Sequence, residues 1–508
     1  MCTDRKCDAK NVAGGTYYHF GIRNSVLAEL ASLDFDLRDL TDTLTLRVNI
    51  DGLPLFRSNN VSLWPILSRI KEIPNSNVFV IGLYSGVIKP SNVQEYLNEF
   101  IQDVKVVVQE GIQYNYVHFT VAAPDAFICD APAGAFLKCV KGHNGYYACE
   151  RCTQKGVHIN RRMSFAELSG ERRTDQTFRE MGYEEHQGGV SPLSELGVGL
   201  VSSFVLDYMH LVCLGAMRQL IYLWLKGPLK CRQSVKNLTM ISAFMASVRQ
   251  YLPRNFSRKP RSLLEISMWK ATELRQFLLY TGPVVPLKNI PDTMYRNLIL
   301  LSVSIRILLS PDLCTENCDY AEDILKNFVQ DFGIIYGLEF VGYNIHSLIH
   351  IAQDARNFGP LDSISCFPFE TYLGKFKKIV QRPQNPVQQI VRRIHEKQKV
   401  AKQKKISISS PLKQLHFSGP VTDELGTCQQ YRQYKCCKGD NCFSLGGRTL
   451  IVRNILLSSC ETPNVLCHFF KSYEFFFSYP IDSACLGIHF VSNLSKDLHV
   501  ISVEELRR

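Results

Sequence analysis

Three acidic residues carry the first suggestion of chemistry: Asp51, Asp130 and Glu370. Asp51 closes the β-rich run "TLRVNID", and Gly52 follows at once. Asp130 closes a second such run, "YVHFTVAAPDAFICD". Glu370 lies in "FPFETYLGKFKK", which reads as a helix. Two strand-end carboxylates and a helical Glu suit a two-metal phosphoryl-transfer site, where three acidic groups converge on ions roughly 4 Å apart. Hard oxygen donors point to Mg²⁺, or Mn²⁺ in its place. Each residue also has a purely structural role open to it. Asp-Gly is a common turn pair, Asp130 stands where an N-cap would, and Glu370 fits an exposed helix face. Asp125, Glu339, Asp354 and Asp362 are competitors nearby in sequence.

A second set of donors is soft. The stretch "KCVKGHNGYYACERC" holds Cys139, His143, Cys149 and Cys152. Cys149-x-x-Cys152 has the half-site spacing of a structural zinc site. His143 and Cys139 are the candidates for the third and fourth ligands, with His158 and His186 as rivals. No thioredoxin-like context surrounds the pair to make it a redox couple. A structural Zn²⁺ is the expectation. Cys2 and Cys7 read as the tail of another zinc-binding element, and Cys428, Cys436, Cys437 and Cys442 have no assignment.

The elements that must position these groups read as β-β-β-α-β-α. After "TLRVNID" come "VSLWPILSRI" and "NVFVIGLYSG" as strands. A periodic helix, "NVQEYLNEFIQDVKVVVQE", follows with Pro90 and Ser91 as start signals. The strand ending at Asp130 leads into "APAGAFLK", with Pro132 in its first turn. This order suits an α/β fold: an RNase H-like mixed sheet, interrupted by a mostly helical insertion and followed by a small C-terminal β domain. The divisions are 1–43, an N-terminal segment; 44–160, the first part of the core with the zinc knuckle; 161–355, the insertion; 356–410, the end of the core with a basic helix; and 411–508, the β domain.

The bulk numbers agree. The chain has 508 residues, 45% apolar and 21% charged, the composition of two or three globular domains. A net charge of +11 suits a polyanionic partner. The start "MCTDRKCDAK" has no apolar core to act as a signal peptide, so the 18 cysteines read as reduced thiols. "LILLSVSIRILLS" is too short to span a membrane, and "FVLDYMHLVCLGAMRQLIYLWL" is broken by Asp207, His210 and Arg218. A soluble intracellular protein without a membrane partner is expected.

Four longer words occur in order: "NIDGLPLFRSNNVSLWPIL", "FICDAPAGAFLKCVKGHNGYYACERC", "DYMHLVCLGAMRQLIYLW" and "GPLDSISCFPFETYLGKFKK". Together they resemble the transposases of CACTA (En/Spm-like) DNA transposons and their animal relatives, across roughly residues 45–400. The resemblance implies a nuclear DDE-type enzyme with Asp51, Asp130 and Glu370 as its acidic triad. It would nick double-stranded DNA at transposon ends and attack target DNA with the freed 3′-hydroxyl, as a multimer. "DYMH" resembles the Cys/Asp-x-x-His signature of several transposase superfamilies. Asp207 and His210 stand one helical turn apart, either to contact DNA and orient the active site or as a buried pair holding the insertion together. Lys375, Lys377 and Lys378 follow Glu370, and "RRIHEKQKVAKQKK" adds Arg392, Arg393, Lys397 and Lys399. These suit phosphate contact and a nuclear localisation patch, with a solvated helix face as the plain alternative. The N-terminal region that usually recognises transposon ends is short or absent here, a departure from the family that a fragment, a degraded copy or a domesticated protein would explain. The runner-up function is an inactive, transposase-derived nuclear DNA- or protein-binding protein. An unrelated zinc scaffold would leave the three carboxylates far apart.

Overall fold

β3 (Thr43–Ile50) is buried along its whole length after Thr43, the mark of a strand covered on both faces. It is central to the main sheet of this computed structural model, which describes residues 8–32, 41–56, 61–284, 289–401, 415–416, 420–421, 429–431, 440–457, 463–503 and 505. Before it comes a hairpin, β1 (Lys10–Val12) and β2 (Gly15–His19). After it come β4 (Leu53–Pro54), β5 (Ser62–Ile70), β6 (Phe79–Gly86), β7 (Ile112–Tyr114) and β8 (Val117–Cys129). A small hairpin, β9 (Val157–Ile159) and β10 (Arg162–Ser164), precedes β11 (Phe204–Leu206).

The sheet runs β1-β2-β6-β5-β3-β8-β11, with β4 on β5 and β7 on β8. Neighbours are antiparallel from β1 to β3. They are parallel from β3 through β8 to β11. Pro65 lies inside the central strand β5, where a proline removes a ladder donor, and the register shifts next to it between Ile66 and Leu67.

Parallel pairing needs a crossover, and the helix Val93–Glu110 supplies it between β6 and β8. Asn92 caps it by accepting from the N–H groups of Gln94 and Glu95. Its Tyr96, Leu97, Phe100, Ile101, Val104 and Val107 are buried in the sheet's main core. Side chains alternate along β2, so Tyr17 meets Tyr96 while Tyr18 meets His395 on the opposite face. The helix Pro386–Ala401 covers that second face.

The chain divides into two compact units, Met1–Ala216 with Leu308–Lys404, and Met217–Ile307 with Lys405–Arg508. The first division falls inside the stretch read as the helical insertion, 161–355. The second unit holds helices and a C-terminal antiparallel sheet, whose core is Leu450, Ile455, Val465, Cys467, Phe469 and Ile501. The molecule is thus mixed α/β with a C-terminal β region. Among the described residues no helix is long and apolar enough to cross a membrane. Cys2, Cys7, Cys428, Cys436 and Cys437 lie outside the described residues, and Cys442 is exposed.

Candidate metal centres

Strand register brings three carboxylates into one row. Val48 of β3 pairs with Phe127 of β8. Continuing that register three residues sets Asp51 level with Asp130. Leu206 of β11 pairs with Cys129, so Asp207, the next residue, is also level with Asp130. The three aspartates leave the C-terminal ends of three adjacent parallel strands, the edge at which open α/β sheets place their ligands.

Each carboxylate also has local work. Asp51 is 8% exposed and its Oδ1 accepts from the Gly52 N–H at 2.6 Å. Gly52 has no room for a side chain, because a Cβ would stand 2.9 Å from the Trp64 ring. Asp130 is indeed the N-cap of Ala131–Lys138, accepting from the Ala133 N–H at 2.7 Å through Oδ1 alone. The cap and a ligand role are therefore compatible. Glu370 lies in the first turn of Phe367–Ile379, where a negative charge complements the helix dipole.

Donor atoms of Asp51, His210 and Glu370 lie within 4.8 Å of one another. Burial pushes the Asp51 carboxyl up to about 8, aided by the charges of Asp130 and Glu370 and opposed by His210. Acidic groups crowded this way hold their charge poorly without a cation, which is the condition a divalent ion relieves.

Asp207 is 3% exposed and fully employed. Its Oδ2 accepts from the His210 backbone N–H at 2.9 Å and from the ring Nδ1–H at 2.7 Å. Its Oδ1 accepts from the Cys366 N–H at 2.8 Å, immediately before the helix of Glu370. A carboxylate only accepts, so the proton sits on Nδ1 and Nε2 is the nitrogen left for the cluster. Burial alone would lower the His210 pKa, but the Asp207 hydrogen bond and charge, with Asp51 and Asp130, lift it to about 9. His210 is the second residue of a nine-residue π-helix, Met209–Met217, a geometry frequent at functional sites. Sequence spacing put Asp207 one helical turn before His210; the structure puts Asp207 at a strand end, reaching back to cap the turn that follows. Asp207, His210 and Cys366 also cluster. The Cys366 thiol is pushed well above its usual range, by burial first and Asp207 second.

The soft donors form a separate group. Cys149 and Cys152 meet His346 and His350, all four buried and with donor atoms within 4.8 Å of one another. Cys152 Sγ lies 3.4 Å from Cys149 Sγ and 3.3 Å from His346 Nε2. A tetrahedral zinc with ordinary bond lengths separates such donors by roughly 3.5–3.8 Å, so the set fits with a small expansion. His346 Nδ1–H donates to the Phe165 carbonyl at 3.0 Å, which turns Nε2 toward the sulfurs. The hydrogen bond with Cys149 leads the causes that lower the Cys152 pKa. The expected third and fourth ligands are corrected here. Cys139 is the left-handed C-cap of Ala131–Lys138 and His143 packs beside Tyr343; neither joins the group. His186 is held by the Tyr147 carbonyl and His158 stacks near Tyr146.

This node braces the strand that ends at Asp207. Arg151, between the two cysteines, places Nη2 2.7 and 2.8 Å from the two oxygens of Asp354, one turn beyond His350. Asp354 Oδ2 accepts from the Leu206 N–H at 2.7 Å, and Arg151 Nη2 donates to the Phe204 carbonyl at 2.7 Å. Asp354 is thereby a structural partner, as is Asp125, paired with Arg47 and Lys71.

Lys375, Lys377 and Lys378 are exposed on the helix of Glu370. Val387, Ile390 and Val391 bury one side of Pro386–Ala401, while Arg392, Arg393 and Lys397 are exposed. Arg392 and Arg393 pair with Glu396. Lys399 belongs to this helix, and its side chain lies outside the described residues.

The residues that sequence reasoning missed are His346 and His350. Their signal was present: "HSLIH" puts two histidines four apart on one helical face. A family model described as a domain of unknown function, DUF8592, matches residues 415–508, which contain none of these site residues. No curated protein matches the chain.

Proposed function

We propose that the first unit is an RNase H-like catalytic core and that the protein is a metal-dependent DNA nuclease and strand transferase, a DDE-type transposase. The order β6-β5-β3-β8-β11, with three antiparallel strands followed by two parallel ones, supports the fold. The observation that carries the function is the meeting of Glu370 with Asp51, while register sets Asp130 level with Asp51 on the neighbouring strand. The four words shared with CACTA transposases point the same way.

The residues fit hard divalent cations, because oxygen donors of like charge are crowded at a strand edge. Asp51, Asp130 and Glu370 would hold the Mg²⁺ or Mn²⁺ ions, which when bound activate the attacking water or 3′-hydroxyl and stabilise the leaving oxygen. Asp207 fixes the His210 ring with Nε2 toward the cluster and ties the start of the Glu370 helix to β11. His210 is the cation among the carboxylates without metal, and it must lose its Nε2 proton to become a ligand. Lys375, Lys377 and Lys378 stand on the helix of Glu370, where they would neutralise backbone phosphates of double-stranded DNA. Cys149, Cys152, His346 and His350 would hold a structural Zn²⁺. A nuclear location and a multimeric enzyme follow from this reading.

The test is Mg²⁺-dependent cleavage and strand transfer on double-stranded DNA. Asp51→Asn, Asp130→Asn and Glu370→Gln should each lower the rate by about 10³-fold. Salt-sensitive DNA binding without cleavage by the unaltered chain would replace this reading with that of an inactive DNA-binding module.

A further inference from the structure

A cavity of about 270 Å³ lies within the second unit, and none of the carboxylates discussed above is among its lining residues. Phe256, Arg258, Arg275, Gln276 and Tyr280 are among its lining residues, which include two cations and no acid. The nearest acid on the same helix, Glu273, is paired with Arg261 at 2.6 and 2.8 Å, and its charge also reaches Arg258. Gln276 is 3% exposed, and its Nε2 amide finds no acceptor among the described residues. A buried donor of this kind costs free energy unless a ligand or water accepts from it.

The aromatic side is built as well. Tyr280 is 44% exposed. Phe256 meets it edge-on at 5.0 Å, and the Arg306 guanidinium stands 5.5 Å from its ring centre. Arg306 is itself anchored by the Leu279 carbonyl at 2.8 Å. The helix turns π-helical over Phe277–Thr281, directly after Gln276. Gln276, at the end of the preceding helix, and Tyr280, within this turn, both line the cavity.

We infer that this cavity binds a single nucleotide. Arg258 and Arg275 take the phosphate, and the Tyr280 ring stacks the base. The volume lies below the roughly 300 Å³ at which sites for drug-sized ligands begin, which suits one nucleotide rather than a dinucleotide cofactor. The same chemistry serves a free mononucleotide or one unstacked nucleotide of a bound strand.

The experiment uses the full chain without added divalent cation, so it does not depend on whether the carboxylate cluster cleaves DNA. Two probes are added separately, AMP and a single-stranded oligonucleotide with one 2-aminopurine, and each is repeated with Arg258→Gln and Tyr280→Leu. Both side chains are exposed, so the variants should fold. Saturable binding weakened roughly 5- to 100-fold in each variant is expected. Weakening seen with AMP assigns a free nucleotide, and weakening seen only with 2-aminopurine quenching assigns a nucleotide within a strand. Binding equal in all three proteins, no binding of either probe, or full competition by inorganic phosphate with no effect of Tyr280→Leu would overturn the inference.

Discussion

The two donor groups of the first unit differ in burial and in chemistry. The Cys149–Cys152–His346–His350 node is closed: four buried soft donors, one histidine oriented by a backbone carbonyl, and no position that must stay open. The carboxylate row is crowded and strained in charge, with Asp51 held largely protonated by burial and like charges. The first arrangement lowers the free energy of the fold when metal binds. The second keeps an electrostatic deficit at a strand edge, as functional sites do. Arg151 and Asp354 join them, so the closed site holds the strand that delivers Asp207.

The sharpest break between the two should appear on removing single donors. Cys152→Ser or His346→Ala is expected to abolish zinc retention and cooperative unfolding of this unit. A structural zinc contributes on the order of 10 kcal/mol, comparable to the whole stability of a domain. Metal analysis with thermal melts checks this. Asp51→Asn should do the reverse, leaving the melting temperature unchanged or raising stability by about 1 kcal/mol while cleavage is lost. A large destabilisation by Asp51→Asn would mean that the row is structural.

Asp207→Asn sits between the extremes. Loss of the acceptor that fixes His210 should lower metal-dependent activity roughly 10- to 100-fold. An amide that donates to His210 Nδ1 would present the other tautomer, so the metal dependence should shift along with the rate.

The pH dependence of the metal-free protein should also separate the sites. Asp51 ordinarily ionises near 3.8 and in the fold at about 8, so the folded chain holds the extra proton between those values. His210 moves from 6.5 to about 9 and likewise binds its proton more tightly when folded. Both contributions are present at low pH and fall as pH rises, that of Asp51 from about 4 to 8 and that of His210 from about 6.5 to 9. Melting temperature should therefore drop from pH 6 to pH 9 without divalent metal, and Mn²⁺ should flatten the slope. An unchanged slope in Asp51→Asn would contradict the assignment.

The smallest effects belong to the basic surface. Lys377→Gln or Lys378→Gln should alter stability by under about 0.5 kcal/mol. Each should reduce the salt dependence of DNA binding by about one unit of slope. Arg392→Gln should do less, because its charge is shared with Glu396.

Much of this was readable from sequence where the signal was local. Asp51 and Asp130 stand out because a β-rich run stops at each, and Cys149 and Cys152 because two residues separate them. His346 and His350 did not, because their partners lie nearly two hundred residues earlier and "NIHSLIH" looks like an ordinary apolar helix. Asp207 was misplaced for a similar reason. β11 is three residues long, and "FVL" merges into the apolar helical run behind it. Only pairing with β8 makes it a strand. The purely structural roles of Asp130 and the charged helix face proved compatible with functional ones, since one carboxylate oxygen suffices for a cap and one buried stripe for packing.

The most direct measurement is an anomalous difference map from a Mn²⁺-soaked crystal, recorded at the manganese and zinc edges. The account predicts manganese bound by Asp51, Asp130 and Glu370, and zinc bound by Cys149, Cys152, His346 and His350. Zinc at its node with no manganese at the carboxylates, or manganese bound without Asp130 or Glu370, would contradict it.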